Sequence, residues 1–139
     1  MRIGKFITAV FSVCLWAGVA SAQTSTEQIL QLQKFPDGLV LTGNQVPTEA
    51  ENAALLQVLN QMDAPAWTTN LEKFLAQHPQ SPWAASLRHD YAQSCRSAGR
   101  TTKALEQWEA AWQLVKNDAS SAGRKLAGTI LARAFPQMM

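Results

Sequence analysis

His89, Asp90 and Cys95 are the one group in this sequence whose side-chain types could do nucleophilic chemistry: a thiol with an imidazole and a carboxylate close in sequence. A thiol is activated only when a base lies within hydrogen-bond reach. His89 and Cys95 are six residues apart on one predicted helix, about 600° of turn, so their side chains point about 120° apart. They cannot share a proton there, and Cys95 is expected to be a small apolar filler on the packed stripe. His78 and His89 could be offered as metal ligands. No cysteine or carboxylate accompanies both at ligand spacing, so solvated or helix-terminal imidazoles are expected instead. Gly38, Gly43, Gly99, Gly123 and Gly128 stand apart, and no glycine-rich phosphate loop forms. The sequence therefore calls for no catalytic residue, no metal and no cofactor. The work to expect is that of a non-enzymatic binding surface.

The chain starts with Met1-Arg2 and Lys5, continues through the apolar FITAVFSVCLWAGVA and reaches Ala20-Ser21-Ala22. A charged start, an apolar stretch and a small-residue exit are the layout of a secretory signal peptide over 1–22. The stretch is shorter than the roughly 20 residues that span a bilayer. Phe11-Ser12-Val13 before Cys14 does not suit a lipid-modified cysteine. The expected location is outside the cytoplasm, periplasmic or extracellular. Removing Arg2 and Lys5 lowers the twelve Lys and Arg to ten, which balances the ten Asp and Glu. No dense basic face remains, so nucleic acid is not an expected partner. Cys95 alone survives maturation, an internal disulfide is excluded, and apolar burial must hold the fold.

Residues 23–47 are rich in Gln, Thr and Ser, with a Pro-Asp-Gly turn signal in KFPDGLVLTG. Either a short hairpin or a helical turn over Thr26 to Lys34 fits this segment. From residue 48 the pattern becomes helical. Thr48 and Glu51 form a capping box for a helix near 48–62, whose apolar face is Leu55, Leu56, Val58, Leu59 and Met62. Trp67, Leu71, Phe74, Leu75 and His78 mark a second helix near 66–78. Ser81-Pro82 opens a third near 82–98, with a stripe of Leu87, Tyr91, Ala92 and Cys95 that ends at Gly99. Thr101 can cap a fourth near 102–116. Its Ala104, Trp108, Ala111 and Val115 fall within an arc of about 60°, placing Trp108 inside and Trp112 and Leu105 on the flank. A fifth begins near Ser120 or Ser121, carries Leu126, Ala127, Ile130, Leu131, Ala134 and Phe135, and is expected to stop at Pro136. The fold class is all-α, with about five helices in antiparallel hairpins over 48–139.

A step of about thirty-four residues sets Trp108 against Phe74, Leu87 against Ala53 and Ala92 against Val58. On Leu87, Ala92, Gly99, Ala104, Trp108 and Ala111, the stretch Pro82 to Lys116 resembles a tetratricopeptide repeat. It departs from that pattern at Tyr91, Cys95 and Lys116. FLAQHPQSPWAASL and GRTTKALEQWEAAW are also similar to the amino-terminal helical segments of very large secreted bacterial proteins with YD-type repeats. That likeness makes a truncated fragment without autonomous activity the alternative reading.

The tetratricopeptide resemblance implies a concave groove, lined by the first helix of each pair, that receives a protein or peptide partner. Carried onto this chain, it assigns partner contact to Ser86, His89, Asp90, Gln93, Arg96 and Ser97. On the fifth helix the apolar residues span half the circumference, so Leu131 and Phe135 are expected to stay exposed and to serve self-association or docking. Mass spectrometry of the exported protein should find Gln23 at its amino terminus. A species retaining Trp16 would overturn the cleavage assignment.

Overall fold

The computed structural model describes residues 25–138, and the leader expected over 1–22 lies outside the described residues. The described chain is all-helical, with six helices and no strand. Residues 25–31 form α1. The others are α2 (Glu49–Asn60), α3 (Trp67–Gln77), α4 (Ala84–Ser97), α5 (Thr101–Val115) and α6 (Ser121–Met138). Among the described residues no helix is long and apolar enough to cross a membrane.

Local chemistry accounts for two boundaries directly, the start of α2 and the end of α4. The Thr48 hydroxyl accepts from the Glu51 amide at 3.1 Å while the Glu51 carboxylate accepts from the Thr48 amide at 2.8 Å, so the capping box forms. Gly99 takes φ +77°, a left-handed conformation that a side chain resists, and the chain reverses there. Helix α5 then runs back along α4: Arg88 donates to Gln107 at 3.0 Å and Trp108 to His89 at 3.2 Å. This hairpin is the most extensive helix pairing, followed by α5 with α6 and α2 with α3.

Four sequence expectations need correction. Ser81 is not the cap of α4 and Pro82 is not its first residue: the helix starts at Ala84 with Trp83 at the cap position and no side-chain capping bond. Thr101 does not cap α5: Arg100 holds the cap position and makes no side-chain capping bond. Pro136 does not stop α6, which continues to Met138. A proline in the last turn forfeits one hydrogen bond, and little helix beyond it depends on that bond. Ala53, paired by the thirty-four-residue step with fully buried Leu87, is exposed, although Phe74 and Trp108 are both buried, as are Val58 and Ala92.

The amino-terminal segment takes the helical alternative over 25–31 and shares the core of the other helices. Ile29 and Phe35 are buried in the same cluster as Leu55, Leu71 and Leu87. Asn52 Nδ2 donates to the Ser25 and Thr26 hydroxyls, and its Oδ1 accepts from the Trp83 indole at 2.9 Å. After the Phe35-Pro36-Asp37-Gly38 turn, closed by Gly38 N donating to Phe35 O at 3.0 Å, a strap over 35–43 crosses α4 in the opposite direction. The Val40 amide donates to Ser86 Oγ at 3.1 Å and the Thr42 amide to Pro82 O at 3.0 Å. Two residues of extended chain rise about 6.6 Å and one helical turn about 5.4 Å, so alternate strap amides meet the first turn of α4 and the turn that precedes it. The far end is tied by Asp118, whose Oδ2 accepts from Gly43 N at 2.6 Å and whose Oδ1 accepts from Ser120 N at 2.8 Å. Gly123 makes room for this clasp, because a Cβ there would collide with the Asp118 carboxylate.

Trp108 is buried and Trp112 only partly so, as the arc on α5 requires. Replacing Trp108 with alanine should cost about 3–5 kcal/mol, the range for removing a large core aromatic. Trp112→Ala should cost clearly less. Denaturant melts giving equal losses, or the larger loss at Trp112, would overturn the assignment of inside and flank.

Candidate functional site

Helix α4 brings polar side chains into the interior. From Trp83 to Ala92 every residue except Arg88 is buried. Ser86, His89 and Asp90 each expose 1% of their surface, so the expectation of a wet partner-facing surface there is corrected. The strap lies over that side of the helix and satisfies Ser86 through Val40. Gln93 is half-buried at the strap's edge, while Arg96 and Ser97 are exposed beyond it at the end of α4. The six residues therefore do not form one surface.

Asp37, which no sequence spacing singled out, is the group that organises the rest. Its Oδ2 accepts from His89 Nε2 at 3.1 Å and from Gln93 Nε2 at 2.6 Å, and its Oδ1 lies 3.8 Å from the Arg133 guanidinium of α6. On the other side of the ring, the Trp108 indole donates to His89 Nδ1. Indole nitrogen is only a donor, so Nδ1 carries no proton and the neutral ring places its proton on Nε2, facing Asp37. The hydrogen bond from His89, helped by Gln93 and Arg133, holds the Asp37 carboxyl below its ordinary value against some desolvation. Burial depresses His89, outweighing the pull of Asp37. Protonating His89 would also break the Trp108 bond. Both ring nitrogens are engaged, and neither is left to activate the buried Cys95 thiol or the Ser86 hydroxyl.

Asp90 is the exception to this satisfaction. Neither carboxyl oxygen has a hydrogen-bond partner, and both are shielded from solvent. Burial, with the Asp37 charge adding to it, pushes its pKa up to about 8. The carboxyl is therefore neutral at pH 7. One ligand-type atom from each of Asp37, His89 and Asp90 lies within 4.8 Å of the others. The cluster can hold a proton or a cation. His78 sits elsewhere, 3.9 Å from Glu51 and stacked at 4.9 Å on Phe74.

The second feature is apolar. Leu131 and Phe135 of α6 expose 49% and 59% of their surface, as the half-circumference pattern implies. The strap folds back over α4 and leaves them uncovered. Leu131 also lines a groove of about 490 Å³ between α5 and α6, together with Leu105, Glu109, Trp112, Ile130 and Ala134.

The folded protein keeps a proton on Asp90 that the unfolded chain releases near its ordinary value of 3.8. Its contribution to stability is full below that value and is lost as pH rises through about 8. Asp90→Asn should therefore match the wild type near pH 4 and gain on it by up to about 1.4 kcal/mol per pH unit toward pH 8, then level off. Urea melts of both proteins across this range check the expectation, and a constant difference would refute the buried neutral acid.

The chain matches no protein-family model, and comparisons with curated proteins and with solved structures return no match either.

Proposed function

We propose that this chain is an exported, non-enzymatic helical module that binds a protein partner through the groove between α5 and α6. The observation that carries this reading is the exposure of Leu131, which lines the groove with Trp112 and Leu105, together with that of Phe135 one turn further along the same helix. Large apolar groups gathered at one place on a surface mark interaction sites more often than scattered ones do. A tetratricopeptide-type reading of the α4–α5 hairpin supports it, since in such an array a following helix packs where this groove lies open. The concave side of α4, which that resemblance would otherwise favour, is filled by the strap.

The occupant suited to the groove is an amphipathic helix with acidic flanks. Helix α6 holds Arg124, Lys125 and Arg133 and no acidic residue, and Leu131 and Phe135 lie one turn apart, a spacing that receives i, i+4 anchors. The alternative, a fragment of a larger secreted repeat protein, draws on the same groove, which a further helix of that protein would cover.

Selection of a random peptide library on the chain should enrich helical sequences with apolar residues at i, i+3, i+4 and i+7 and with Asp or Glu beside them. Leu131→Asp with Phe135→Asp should lose at least about tenfold in affinity, a cost of about 1.4 kcal/mol, while keeping its helicity. Enrichment of extended or proline-rich peptides, or binding indifferent to the double substitution, would sink the proposal. Sedimentation mass that rises with concentration, and stops rising in the double variant, would give the groove to a second copy of the chain.

A further inference from the structure

Charges rarely lie buried without partners, and a carboxyl group with no donor on either oxygen is a costly thing to leave inside a protein. Asp90 is such a group, it is 1% exposed, and it lies within 4.8 Å of the ligand-type atoms of Asp37 and His89. The titratable and charged groups that face this point are Asp37 from the strap, His89 and Asp90 from α4, and Arg133 from α6. Helix α5 contributes the uncharged Trp108 indole. No other feature of the described chain joins an unpartnered buried carboxyl to a nitrogen donor and a second carboxylate.

We propose that Asp37, His89 and Asp90 hold one divalent first-row cation of the Zn²⁺ type, which fastens the 35–43 strap to α4. Two carboxylates and an imidazole are a donor set for Zn²⁺ or Mn²⁺; the imidazole disfavours Mg²⁺ and Ca²⁺, which prefer all-oxygen shells. With metal–ligand distances of about 2.0–2.2 Å, donors around such an ion stand roughly 3–4 Å apart, so the shell needs only a small closure. His89 Nε2 and Asp37 Oδ2 already lie 3.1 Å apart. The Asp37 side chain is 31% exposed, which gives the ion a path from solvent and leaves room for water as a further ligand. Binding displaces the Asp90 proton to solvent, and the two carboxylates then balance the charge of the ion. Arg133, 3.8 Å from Asp37 and about half exposed, opposes the ion and can swing outward.

The cost falls on Trp108. A cation on Nε2 requires that nitrogen's lone pair, so the ring proton moves to Nδ1 and the indole N–H loses its acceptor. Ion binding at this site therefore has a signature at a residue that is not a ligand.

Isothermal titration of the purified chain with ZnCl₂ at pH 7.5 should show one site with a Kd on the order of 10 μM or tighter. Asp90→Asn and Asp37→Asn should each weaken it by at least about tenfold with unchanged circular dichroism, and Arg133→Gln should tighten it a few fold. His78→Gln should leave it unchanged, which separates the site from adventitious imidazole binding. In ¹H–¹⁵N spectra the Trp108 indole resonance, assigned with Trp108→Phe, should move on Zn²⁺ addition in the wild type and stay in place in Asp90→Asn. Absence of saturable binding up to about 1 mM, equal binding by Asp90→Asn, a stationary Trp108 resonance, or equal affinity for Mg²⁺ would each overturn the proposal; the first would leave Asp90 a proton site only.

Discussion

Helix α4 is covered on nearly every side, and its sequence is too polar to be covered by hydrocarbon alone. Ser86, His89 and Asp90 are placed where water cannot reach, and each buried polar atom left without a partner costs about as much as a whole hydrogen bond contributes. The rest of the molecule answers that constraint. The strap brings the Val40 amide to Ser86 and the Asp37 carboxylate to His89, α5 brings the Trp108 indole to the other ring nitrogen, and α3 brings Glu72, which accepts from the Tyr91 hydroxyl at 2.7 Å. The amino-terminal segment is thus part of the core, although its composition reads as a linker.

The Trp108–His89–Asp37 chain of hydrogen bonds fixes a tautomer and a direction. An obligate donor at one end and a carboxylate at the other leave the imidazole a single way to sit, which makes it a rigid connector between α5 and the strap. Asp90 has no such answer in the protein itself. Its neutrality at ordinary pH is the protein's own remedy, and a cation is the remedy that the neighbouring donors make available. Either way the strap's position and the ionisation of this corner are coupled, because Asp37 takes part in both.

The two features of interest lie on different surfaces and use different physics. The polar cluster sits beneath the strap, where low dielectric strengthens each charge and each vacancy. The groove between α5 and α6 is apolar and open, and what it can hold is decided by shape and by the basic side chains along α6. A partner seated there would contact Leu131 and Phe135 without disturbing His89, although Arg133 on the same helix reaches toward Asp37.

Periodicity and local residue types determined the helices from residue 48 onward, the inward position of Trp108, the capping box at Thr48 and the exposure of Leu131 and Phe135. These depend on interactions within four residues or on the angle of a side chain around one helix, and both are written in the local sequence. Where a local rule failed, the boundary moved by a residue or two or the cost was small: α5 starts at Thr101 itself, α4 starts two residues after Pro82, and α6 runs past Pro136 because its last turn has little to lose. Only the tertiary structure decided what lies over α4. Asp37 is 52 residues from His89, in a Gln-rich stretch whose one legible mark was a Pro-Asp-Gly turn. No spacing rule links a turn carboxylate to a helix so far along the chain. The same burial reversed the reading of His89 and Asp90, since a polar helix face looks the same in sequence whether water covers it or another segment does.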